Sequence, residues 1–240
     1  MSHAPSSVNS RFVDIDTPDG RYTAWHAQPA RPQGVGILMI PETYNLNRWV
    51  RGVADRYAAD GFDVLVPDLY WRQEPGLGLD YNPQDQERGR ALNRKLDRAL
   101  TVRDNAAAVA WLRRRLPAGA PVASIGFCLG GELAWLAAGA GLVEGAALYY
   151  PTRMREHLAL GSTVRVPVVI HFGELDALHT PPDVIAAVTQ ATQANPLVER
   201  HTYLGAGHGF SRYGEATEHP ESAVLAERRT RALLARIAQG

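Results

Sequence analysis

The sequence has a single cysteine, Cys128, and a single lysine, Lys95. One cysteine excludes any disulfide within the chain, so an oxidising compartment gives the fold no benefit. It also excludes thiolate cages for zinc, and no histidine or carboxylate spacing takes their place. Neither a metal nor a cofactor is expected. Basic residues number 25, of which all but Lys95 are arginine, against 25 acidic ones. A formal charge of zero lacks the one-sided basic excess of a nucleic-acid binder, and any cationic site here is a guanidinium suited to gripping carboxylates. Long apolar runs are missing too: the most apolar stretch, Ala134–Val143, is about half the length a membrane span needs. Met1–Ser10 has no apolar core of the kind a secretory signal carries. A soluble cytoplasmic protein, with neither membrane nor nucleic acid as partner, is the expectation.

What is present is an ordinary globular composition. Of 240 residues, 45% are apolar and 21% charged, enough for one sizeable core. No repeat or low-complexity linker divides the chain. A short flexible tail over 1–9 and a single domain over 10–240 are expected.

Apolar runs bounded by turn residues alternate with helical patterns. Arg11–Thr17 and Tyr22–Gln28 flank Pro18-Asp19-Gly20 and read as a hairpin. Val35–Ile40 is continuously apolar, as a strand buried on both faces should be. Asn47–Asp60 carries Trp49, Val50, Val53 and Tyr57 at helical spacing and ends at Gly61. Asp63–Pro67 is a strand, and Pro83–Leu116 reads as one long helix or two. Val122–Gly126, Gly145–Tyr150, Val168–Gly173 and Glu199–Leu204 are further strands, with Pro181–Gln193 and Glu218–Ala238 helical. Such alternation predicts an α/β fold with a mostly parallel central sheet, helices on both faces and an N-terminal β-hairpin. Chemistry then belongs at the carboxyl ends of the strands.

One strand-to-helix junction there reads Gly126-Phe127-Cys128-Leu129-Gly130-Gly131. This is the G-x-S-x-G nucleophile elbow with cysteine in place of serine. A nucleophile on so tight a turn needs glycine two residues away on either side. Leu129 can offer its amide to an oxyanion, and the helix start favours a thiolate. An acid and then a histidine should follow in chain order. Asp176 lies just past the strand Val168–Gly173, with Glu174 as its rival. His208 sits in the glycine-rich loop Gly205–Gly209, after the last strand. His171 and His201 fall inside strands, while His157, His179 and His219 read as structural or solvent-facing.

These residues resemble the dienelactone hydrolase (carboxymethylenebutenolidase) family of α/β-hydrolases, from about Gly34 onward. The cysteine elbow is the most specific likeness; Pro67-Asp68-Leu69-Tyr70, Tyr149-Tyr150 and Ala194-Asn195-Pro196-Leu197 add to it. The resemblance implies a catalytic triad of Cys128, His208 and Asp176. It implies that Glu42 takes the thiol proton when substrate arrives, and that Thr43 supplies a second oxyanion amide beside Leu129. Arg90 and Arg212 match arginines that hold the substrate carboxylate, and Tyr149 is placed with them at the substrate site. The expected reaction opens the lactone ring of a small anionic dienelactone, giving maleylacetate-type products in aromatic degradation, with a monomeric enzyme.

The likeness has departures. Arg94 stands where the family has a tyrosine, Gly209 replaces a serine, and the Glu42 loop reads Pro-Glu-Thr-Tyr-Asn. A broader carboxylesterase or thioesterase of the same fold is the alternative, and a catalytically silent binding protein a more distant one.

Overall fold

The structure, a computed structural model, describes residues 8–239. Most of the expected tail, residues 1–7, lies outside the described residues. Strands and helices alternate through two compact units, one running to Val122 and the other beginning at Ala123.

The first unit opens with the expected hairpin, β1 (Asn9–Thr17) and β2 (Gly20–Gln28). Asp14 and Ile15 pair with Thr23 and Tyr22, and the register closes at Thr17 and Gly20. Gly20, at φ +140°, turns the chain where other residues would be strained. β2 then pairs antiparallel with β4 (Asp63–Pro67), which runs parallel to β3 (Gly36–Ile40). Both β3 and β4 are buried along their whole length, which is why their sequences are continuously apolar.

Helix α1 (Arg48–Ala59) connects them and buries Val50, Val53, Ala54, Tyr57 and Ala58. Its first turn is capped by Asn47, whose side chain accepts from the Val50 amide at 2.9 Å, a contact worth about 1 kcal/mol. The segment left open as one helix or two is two: α2 (Pro83–Arg94) and α3 (Arg98–Arg113). Asp97 caps α3 by accepting from the Leu100 amide, so a helix start is written into the chain there. The hairpin is tied to α3 by Arg72, which bridges Asp104 and Asp19 and lies over the Trp71 ring.

The second unit holds β5 (Val122–Phe127), β6 (Gly145–Tyr149), β7 (Val168–Gly173) and β8 (Val198–Tyr203), each parallel to the next. Helix α4 (Leu129–Gly139) follows β5 and is buried almost all round. A 3-10 turn (Met154–His157) and the short α5 (Leu160–Thr163) precede β7, and no sequence pattern announced them. Helices α6 (Pro182–Thr192) and α7 (Pro220–Ala238) complete the unit. No helix among the described residues is long and apolar enough to cross a membrane.

Candidate active site

Cys128 occupies the single position between β5 and α4. Its backbone stands at φ 56°, ψ −116°, a conformation that costs a non-glycine residue about 1–3 kcal/mol. The surroundings hold it there. The Cys128 amide donates to the Tyr149 carbonyl at 3.0 Å, and its own carbonyl accepts from Gly131 at 3.0 Å and Thr152 at 3.2 Å. Gly126 is obligatory for the same turn, because a side chain there would run into the Gly130 carbonyl. Leu129 is the first residue of α4, so its amide has no acceptor within the helix and is available to an oxyanion.

Asp176 and His208 come from the loops after β7 and β8 and meet directly. His208 Nδ1 lies 2.7 Å from Asp176 Oδ2. Asp176 is buried and also accepts from the His179 amide at 3.1 Å and the Thr180 hydroxyl at 3.2 Å. Burial alone would raise its pKa, yet the bond to His208, the charge of that ring and the His179 amide together outweigh it and hold the carboxyl below its ordinary range. On the other side of the ring, Nε2 is buried with no hydrogen-bond partner among the described residues. Burial pulls the imidazole down, but Cys128 and the bond to Asp176 together overcome it and raise His208 to about 10. Two of the three expected triad residues, Asp176 and His208, are therefore in contact, and Glu174 is spent elsewhere, accepting from the Gly205 amide.

Two neighbours of His208 escaped the sequence. Tyr150 lays its ring edge-on to His208 at 5.0 Å and reaches Ser211 Oγ at 3.2 Å with its hydroxyl. Tyr149, expected at the substrate site, instead points into the core, 1% exposed, with its hydroxyl 2.8 Å from Thr230. The correction follows from alternation: β6 ends at Tyr149, and Tyr150 at φ 37° turns to the other side. His179, expected to be structural or solvent-facing, packs its ring against His208 at a tilt of 46°, with centroids 4.4 Å apart. Its place three residues after Asp176, in a turn closed by that carboxylate, was the available signal.

Arg212 is buried, 8% exposed, and its guanidinium folds over Gly209. A β-carbon at 209 would stand 2.7 Å from it, so the glycine that replaces the family serine leaves room for the arginine. In the first unit, Glu42 follows β3 and is buried, with Oε2 accepting from the Tyr81 hydroxyl at 2.9 Å. Thr43 is next to it, its carbonyl against Gly89 of α2. Arg90, on the same helix, is exposed. Among the described residues no cluster of histidine, cysteine or carboxylate side chains could hold a metal.

A profile of the dienelactone hydrolase family matches residues 22–238. The chain belongs to this family. It is 34% identical over 220 residues to carboxymethylenebutenolidase of Pseudomonas sp. strain P51, covering 91% of each chain. It is 32% identical over 221 residues to the Pseudomonas putida carboxymethylenebutenolidase, covering 90% of this chain and 92% of that one. Among solved structures, a dienelactone hydrolase-like promiscuous phosphotriesterase from metagenomic libraries superposes with a TM-score of 0.77 at 20% identity, over 96% of this chain and 98% of that one. The fold is that of the α/β-hydrolases, and the protein is a hydrolase of ester or lactone bonds.

Proposed function

We propose that this dienelactone hydrolase family member opens the lactone ring of a small, carboxylate-bearing dienelactone through Cys128, His208 and Asp176, giving maleylacetate-type products. The observation that carries the reading is the 2.7 Å pairing of His208 Nδ1 with Asp176 Oδ2, in the same unit as Cys128 on its strained turn between β5 and α4. The thiolate attacks the ring carbonyl, and the Leu129 amide stabilises the oxyanion. Collapse breaks the bond between the acyl carbon and the ring oxygen; the leaving enolate takes the His208 proton, and a thioester and a neutral imidazole remain. Neutral His208 takes a proton from water, the hydroxide attacks the thioester, and the acid product departs with the thiolate restored. By the family likeness, Glu42 takes the thiol proton on substrate arrival and returns it to the sulfur once the product has left, Thr43 gives the second oxyanion amide, and Arg212 with Arg90 binds the carboxylate.

The substrate is read as a free anionic lactone, and the enzyme as a cytoplasmic monomer, where a lone reactive thiol stays reduced. A second reading, a broader carboxylesterase or thioesterase, is favoured by Arg90, which stands exposed on α2. Turnover of dienelactones and of neutral p-nitrophenyl esters separates the two. The proposal expects Cys128→Ala to abolish dienelactone hydrolysis in a folded protein, and turnover retained in that variant would overturn it. A wild-type preference for the neutral esters selects the second reading.

A further inference from the structure

Four non-glycine residues among those described have positive φ, and three of them, Cys128, Tyr150 and Arg153, gather around the elbow. The strap Tyr149–Arg153 crosses it. Tyr149 accepts the Cys128 amide, Thr152 donates to the Cys128 carbonyl, and Tyr150 meets the His208 ring. Strained backbone of this kind persists only where its surroundings over-determine it.

What fastens the strap is a carboxylate with no part in the chemistry above. Glu132, in the first turn of α4, is wholly buried. Its Oε2 accepts from the Thr152 hydroxyl at 3.4 Å. Its Oε1 lies 3.2 Å from His157 Nε2 and 3.6 Å from Arg153 Nε. All three partners belong to the chain segment that leaves β6. A buried charge is costly and is a weak source of stability compared with apolar packing, but its partners have little freedom to move away.

We propose that Glu132 is a positioning residue for the nucleophile: through Thr152, Arg153 and His157 it fixes the strap that holds Cys128 in its strained conformation and Tyr150 against His208. The inference rests on the reading of Cys128 as nucleophile, and it specifies which group outside the triad sets the thiol's reactivity.

The test measures iodoacetamide alkylation of Cys128, which needs no substrate, beside kcat and KM on a dienelactone. Glu132→Gln should slow alkylation and lower kcat by about tenfold each, with KM within about twofold of wild type. Glu132→Asp should recover part of both rates. Arg153→Gly keeps the positive φ and deletes the ion pair; it should lower both in the same direction, and it carries the test if Glu132→Gln fails to fold. Alkylation and kcat equal to wild type in folded Glu132→Gln, or in Arg153→Gly, would overturn the inference. The hydrolase reading fails separately, through turnover that survives Cys128→Ala.

Discussion

A β-carbon on Gly126 would stand 1.9 Å from the carbonyl oxygen of Gly130. The two ends of the elbow are in contact across Cys128, and the obstacle is backbone, which cannot swing aside as a side chain can. The β5–α4 turn therefore tolerates nothing larger than hydrogen at 126. Gly126→Ala should cost about 3 kcal/mol or more, at the upper end of overpacking penalties. Urea unfolding measures it, and a loss under about 1 kcal/mol would mean that the elbow relaxes where the geometry says it cannot.

The raised His208 fixes the direction of a pH effect on stability. An imidazole lifted from 6.5 to about 10 on folding binds its proton more tightly in the native state. Its contribution is complete below about 6.5, where both states are protonated, and declines as pH rises through 10. The unfolding free energy of wild type minus that of His208→Gln should fall by on the order of 5 kcal/mol across this window. Denaturation series at several pH values would show it. A difference that grows with pH contradicts the raised imidazole.

Much of this arrangement was legible in residues alone, for reasons that differ from element to element. β3 and β4 announced themselves because strands buried on both faces must be apolar at every position. The elbow was legible because its glycines answer a collision between near neighbours in sequence. The break between α2 and α3 was undecided, since apolar spacing continues through it and only the Asp97 cap marks the restart. Tyr149 and Tyr150 are identical in type, so nothing local said which one turns toward His208. Glu132 was invisible for another reason: its partners lie some twenty residues on, in a segment whose only regular structure is a 3-10 turn and one turn of helix.

The two tyrosines should separate in experiment as they do in space. Tyr149→Phe removes a buried hydrogen bond to Thr230 and should cost about 1 kcal/mol of stability while leaving kcat unchanged. Tyr150→Phe removes the bond to Ser211 that orients the ring against His208, and should lower kcat several-fold with a smaller loss of stability. Thermal unfolding and steady-state kinetics on both variants check this. The opposite assignment of effects would return Tyr149 to the site.

In the proposed reading, Arg212 decides between an anionic and a neutral substrate. Its guanidinium is buried over Gly209, the residue after His208, so a carboxylate bound there is largely withdrawn from water. A charge-assisted bond in such surroundings is about twice as strong as a neutral one. Arg212→Gln should raise KM for a carboxylate-bearing lactone by about a hundredfold, the equivalent of ~2.7 kcal/mol. A neutral ester makes no use of the guanidinium, so its kcat/KM should fall far less. The ratio of the two substrates' kcat/KM is the decisive quantity, because damage to the His208 loop would depress both together and leave it unchanged. A constant ratio would reduce Arg212 to a structural residue and favour the broader esterase.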